Sequence, residues 1–135
     1  QEAVRQNGED YPKLVWMMDM REESNPVIIS TLPMPDTEDF FGRPGRFGAH
    51  NIYENQPGPT SFHSDNLVFG TYFNGGVRVH DTTNPFQPEE VAYFVPPIPE
   101  GAPSLGINDV YVDENRIMYV VDRIKGGLYI LELTI

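Results

Sequence analysis

The stretch that decides the fold runs from Gly48 to Val95. It reads Gly48-Ala49-His50-Asn51-Ile52-Tyr53, then Asn66-Leu67-Val68-Phe69-Gly70-Thr71-Tyr72, then Gly75-Gly76-Val77-Arg78-Val79-His80-Asp81, and finally Glu89-Glu90-Val91-Ala92-Tyr93-Phe94-Val95. Each segment is short, rich in β-branched and aromatic residues, and bounded by Gly, Pro, Asn or Asp, the pattern of strands separated by turns. Together they form one four-strand unit.

Parts of that unit recur on both sides. Val15, Asp19, Pro26, Ile29 and Pro35 each stand 62 residues before Val77, Asp81, Pro88, Val91 and Pro97, carrying the same order of strand, acidic turn, Pro and strand. On the other side, Gly106-Ile107-Asn108-Asp109-Val110-Tyr111 repeats the first segment at a spacing of 58. Arg116–Asp122 repeats the second at 50, and Gly126–Glu132 the third at 51. The spacing shortens because a tight Asp113-Glu114-Asn115 turn replaces the long Glu54–Asp65 connection. A fixed register carried through successive units marks a repeat protein.

With strands lettered A to D outward within a unit, residues 13–35 supply C and D, 48–97 a complete unit, and 106–135 strands A to C. Four-stranded antiparallel units repeated in sequence predict an all-β protein of β-propeller blades, each needing its neighbours to bury its faces. The chain is then a single partial propeller domain, 1–135, holding about two and a quarter blades. A ring needs about four or more. It would be completed by another chain or by a missing N-terminal part, this chain being the C-terminal portion. The competing expectation is a self-contained nine-strand β-sandwich. Residues 1–12 read as a solvated arm, and 33–47 as a connection too rich in Pro and Gly for regular structure.

Composition narrows the function. A net charge of −11, with nine scattered Lys and Arg, argues against nucleic acid and against an anionic membrane surface. No cysteine is present, which excludes disulfides and thiolate chemistry. No apolar run approaches a membrane span, so no membrane insertion is expected. A processed-looking start at Gln1 and the absence of Cys fit a periplasmic or extracellular protein.

The repeated segments resemble those of the bacterial LVIVD-repeat proteins. The matching pieces are Gly106-Ile107-Asn108-Asp109-Val110-Tyr111-Val112, Met118-Tyr119-Val120-Val121-Asp122, Gly127-Leu128-Tyr129-Ile130-Leu131-Glu132, and Val77-Arg78-Val79-His80-Asp81 with Asn84-Pro85. The resemblance covers residues 13–35 and 48–133 and implies a propeller of about seven blades. It carries over no catalytic residue. The first-strand His of the family is kept as His50 but replaced by Asn108 in the last unit, so a symmetrical His ring is not implied.

Candidate chemistry gathers around few side chains. His50, at the start of an innermost strand, could face the central channel and ligate a metal, or hydrogen-bond to a neighbouring blade. His63 lies in the Glu54–Asp65 loop, placed either to fold over a channel ligand or simply exposed. These two are the candidate metal ligands, and a divalent transition metal is the cofactor they would hold. Asn51, Asn108 and Asp109 are candidate ligand-binding positions, with Asn51 and Asp109 also read as ties from strand A to an adjacent blade. Arg43, Arg46 and Arg123 are candidates for binding a carboxylate. His80 reads as a packing residue, because its equivalents are Met18 and Leu131; Asp19, Asp81 and Glu132 read as turn residues.

Two functions follow. The first is a binding or scaffold module that assembles with a second protein chain and presents its loops to a protein partner or carbohydrate, the channel being merely packed or wet; a small-molecule ligand in the channel is the other partner expected. The second is part of a metal-dependent hydrolase, lyase or oxidase with His50 on the propeller axis.

Overall fold

The structure, a computed structural model, describes residues 5–6, 9–10 and 13–135. It is all-β. The strands are β1 (Arg5–Gln6), β2 (Glu9–Asp10), β3 (Trp16–Asp19), β4 (Val27–Thr31), β5 (Leu67–Thr71), β6 (Val77–Asp81), β7 (Glu89–Phe94), β8 (Ile107–Val112), β9 (Ile117–Asp122) and β10 (Gly127–Glu132), with one short helix, α1 (Thr37–Phe41). No helix among the described residues is long and apolar enough to cross a membrane.

The strands form three small antiparallel sheets, β3-β4, β5-β6-β7 and β8-β9-β10, beside a two-residue β1–β2 pairing. Eight of the nine expected strands are regular strands. The ninth, at 48–53, lies along β5 without regular geometry: the His50 amide donates to the Thr71 carbonyl, Thr71 to Asn51 and Tyr53 to Phe69, at 2.8–2.9 Å. Gly48, at φ +121°, brings the chain so close to Lys13 that a Cβ there would lie 3.0 Å from the Lys13 amide nitrogen. A strand entered through such a backbone pairs only in part.

Two expectations are corrected. Residues 33–47 do hold regular structure, because Asp36 caps α1 by accepting from the Glu38 amide, and Glu38 and Asp39 suit the positive end of the first turn. Within the supposed arm at 1–12, β1 and β2 pair antiparallel; its remaining residues lie outside the described ones.

The core lies between the second and third sheets. Phe69, Val77 and Val79 from one meet Ile107, Val110, Val112, Met118 and Val120 from the other, all 5% exposed or less. Alternation along the strands puts these residues on facing sides. The opposite side of β6 is buried too. One guanidinium nitrogen of Arg78 there donates to both Glu90 carboxylate oxygens at 3.0 and 3.1 Å, and the group lies over the Phe40 ring, while His80 sits 3.2 Å from the Pro33 carbonyl. His80 is therefore a packing residue, wholly buried, as its apolar counterparts suggested.

Asp81 and Asp19 fill the turn role expected of them. The Asp81 carboxylate accepts from the Thr83 amide at 2.7 Å, and that of Asp19 from the Arg21 amide at 3.0 Å. Hydrogen bonding to the charged form holds both carboxyls below the usual range.

Candidate functional site

The site grows from the turn between β5 and β6. Tyr72, Phe73, Gly75 and Gly76 close it with three backbone hydrogen bonds of 2.8–3.1 Å. Gly76 takes φ +80°, where a Cβ would meet the Phe94 carbonyl at 2.2 Å, so only glycine fits. Phe73 takes φ +52° although it has a side chain. That conformation costs about 1 kcal/mol. Its surroundings hold it there: the Phe73 amide and carbonyl bond the Ile107 carbonyl and amide at 3.1 and 3.2 Å, and the next amide, of Asn74, donates to the Arg46 carbonyl at 3.1 Å. The turn of one sheet is thus stitched to the first strand of the next.

This strained ring gathers charge. The Arg123 guanidinium lies 5.2 Å from the Phe73 centroid and that of Arg46 5.8 Å, within cation–π range. The His50 ring meets Phe73 edge-on at 4.5 Å. Arg123 is oriented from behind by donating to the Asn108 side-chain oxygen at 3.0 Å. Arg46, Phe73, Ser104, Leu105, Arg123 and Ile124 line a depression of about 310 Å³. Arg43, the third arginine of the expected group, stacks instead on Phe40 at 4.5 Å.

Four sequence candidates therefore come together: His50, Arg46, Asn108 and Arg123. The others do not. The His63 Nε2 donates at 2.7 Å to the Gln56 carbonyl within its own loop. That loop docks at the far end of β8, where the Phe62 amide bonds the Val112 carbonyl at 3.0 Å and the Glu114 amide bonds Thr60 at 2.9 Å. The Tyr53 hydroxyl sits between the Phe62 and Val112 carbonyls at 2.8 and 3.1 Å. His50 stands near the start of β8 and His63 near its end, so the structure does not join them as metal ligands. Among the described residues no three His, Asp or Glu side chains converge on a metal position.

Asp109 spends a carboxylate oxygen on the Val110 amide at 2.9 Å and lies with Tyr53, Tyr111, Tyr119 and Val121 around another depression. The tie expected of Asn51 and Asp109 is made by a residue the sequence did not single out. Thr71 is wholly buried, and its hydroxyl donates to the Asn108 carbonyl at 2.9 Å while receiving the Asn51 amide at 3.2 Å. A threonine ending a strand where its counterpart is Val121 was the available signal.

No protein-family model, curated protein or solved structure matches the chain.

Proposed function

We propose that this chain is a stretch of β-propeller of the LVIVD-repeat kind, serving as a binding and scaffold module whose ring is completed by blades of a second chain. One observation carries the reading: the face left bare on the last sheet repeats, position by position, a face buried in the middle one. Tyr53, Phe69, Val77 and Val79 pack toward β8-β9-β10. Their repeat counterparts are Tyr111, Tyr119, Leu128 and Ile130, of which Leu128 is 55% and Ile130 64% exposed. A bare sheet face of that composition marks an association surface.

The other end of the stack is similar. Trp16, Met18 and Ile28 are each about half exposed, and Met18 and Ile28 are cross-strand partners. Trp16 and Met18 are counterparts of Arg78 and His80, which are buried in the middle sheet. One bare end is apolar on the leading side and the other on the trailing side, so further units fit head to tail.

The edge of β10 adds where a strand would enter. In the middle sheet β6 carries β7, but β10 is the outermost described strand of its sheet. Beside it runs a groove of about 400 Å³, lined by Ala92, Phe94, Met118, Leu131 and Leu133. An added strand opposite Tyr129 and Leu131 would place alternate side chains in that groove, the geometry of strand addition.

The test is Ile130→Asp and Leu128→Asp, analysed by size-exclusion chromatography with light scattering together with the partner purified alongside the chain. Both variants should fold, by circular dichroism, and elute without the partner. Retention of the complex by both folded variants would overturn the proposal.

A further inference from the structure

We propose that the depression at Phe73 binds a small organic carboxylate, its charge held between Arg46 and Arg123, which lie over the buried Phe73 ring, and its apolar body resting on Ile124. The site lies wholly within this chain and does not depend on ring closure.

The charge argument comes first. The chain carries 20 acidic against nine basic residues, so a basic side chain has carboxylates in plenty. Arg21 is paired with Asp19, and Arg78 with Glu90. Among the described residues neither Arg46 nor Arg123 meets a carboxylate; both lie over one aromatic ring at the rim of one depression. Two like charges kept together in an acidic protein create a local anion site against the general field.

Geometry favours a carboxylate. Asn108 engages one nitrogen of Arg123, and the Arg123 side chain lines the depression. A planar fork with parallel N–H bonds fits a carboxylate edge. The backbone packs closely against the walls: a Cβ at Gly45 would lie 2.8 Å from the Ser104 side chain, and one at Gly106 2.8 Å from that of Ile124. The volume of about 310 Å³ sits at the small end of ligand pockets, and the exposed Ile124 side chain on its wall suits an apolar body rather than a bare ion. Strain held at Phe73 points the same way, since backbone outliers gather at ligand sites.

The probe is benzoate, titrated calorimetrically into the full chain, with the neutral isostere benzamide and inorganic phosphate as comparisons. Benzoate should bind, Arg46→Gln and Arg123→Gln should each weaken it roughly tenfold, and Arg21→Gln, on a remote paired arginine, should leave it unchanged. Benzamide and phosphate should each bind at least about tenfold more weakly. Failure of benzoate to bind, equal binding of benzamide, or equal weakening by Arg21→Gln overturns the site; phosphate matching benzoate overturns the apolar half of the assignment. Should a variant not fold, amide shifts of wild-type protein decide. On benzoate addition they should centre on Phe73, Gly106 and Arg123, and shifts centred elsewhere refute the site.

Discussion

Val79 and Ile130 hold the same place in successive repeats, yet Val79 is 2% exposed and Ile130 64%. The difference lies only in what covers them. Val79 has the third sheet against it; Ile130 faces outward from that sheet. Truncation should follow suit: Val79→Ala should cost the isolated chain about 2 kcal/mol, and Ile130→Ala less than about 0.5 kcal/mol. Urea unfolding of both variants measures this, and equal losses would contradict the assignment of faces.

Gly76 and Gly127 make a second such pair, with φ +80° and +74°. A Cβ at Gly76 runs into the Phe94 carbonyl of β7 at 2.2 Å, whereas at Gly127 nothing lies within 4 Å. Gly76→Ala should therefore separate β7 from β6 and cost about 3 kcal/mol or more, while Gly127→Ala should cost about 1 kcal/mol of backbone strain. If a partner strand adds to β10, Gly127→Ala should also weaken that association. Thermal melts with and without the partner distinguish the two effects.

Thr71→Val keeps the shape of the side chain but leaves the Asn108 carbonyl and the Asn51 amide without its hydroxyl. A loss of about 1–3 kcal/mol is expected, with faster exchange of the Asn51 amide hydrogen. Unchanged exchange at Asn51 would show that the hydroxyl is no tie between the sheets.

His80 should give stability a pH dependence of its own. Burial, opposed by the nearby Glu90 charge and the Pro33 carbonyl, holds its pKa below the usual 6.5. The unfolded chain then binds a proton more readily than the folded one. Stability from this residue is complete above about pH 6.5 and falls as the pH drops toward the folded-state pKa. Urea midpoints between about pH 7.5 and 5 should decline in the wild type and decline less in His80→Gln; parallel slopes would exclude His80 as the source.

Strand positions were legible because alternation, Gly-Gly turns and constant spacing are local signals that tertiary packing had no cause to override. The helix at Thr37–Phe41 was hidden by the prolines around it, though Asp36 followed by Glu38 and Asp39 is a capping pattern. The site was legible in pieces. Arg123, Asn108 and His50 could be named singly, but their meeting at Phe73 depends on a positive-φ turn reaching across to Ile107, and no spacing rule encodes that contact. Where His63 lies is likewise set by long-range contacts that composition does not encode: Tyr53 and Val112 hold the loop at 54–65 at the end of β8 away from His50.

The most direct measurement is a native mass spectrum of the wild-type chain isolated with whatever accompanies it. A folded complex heavier than the 15.3 kDa of one chain by at least one additional polypeptide is expected. A folded 15.3 kDa monomer, with Leu128 and Ile130 still open to solvent, would contradict it.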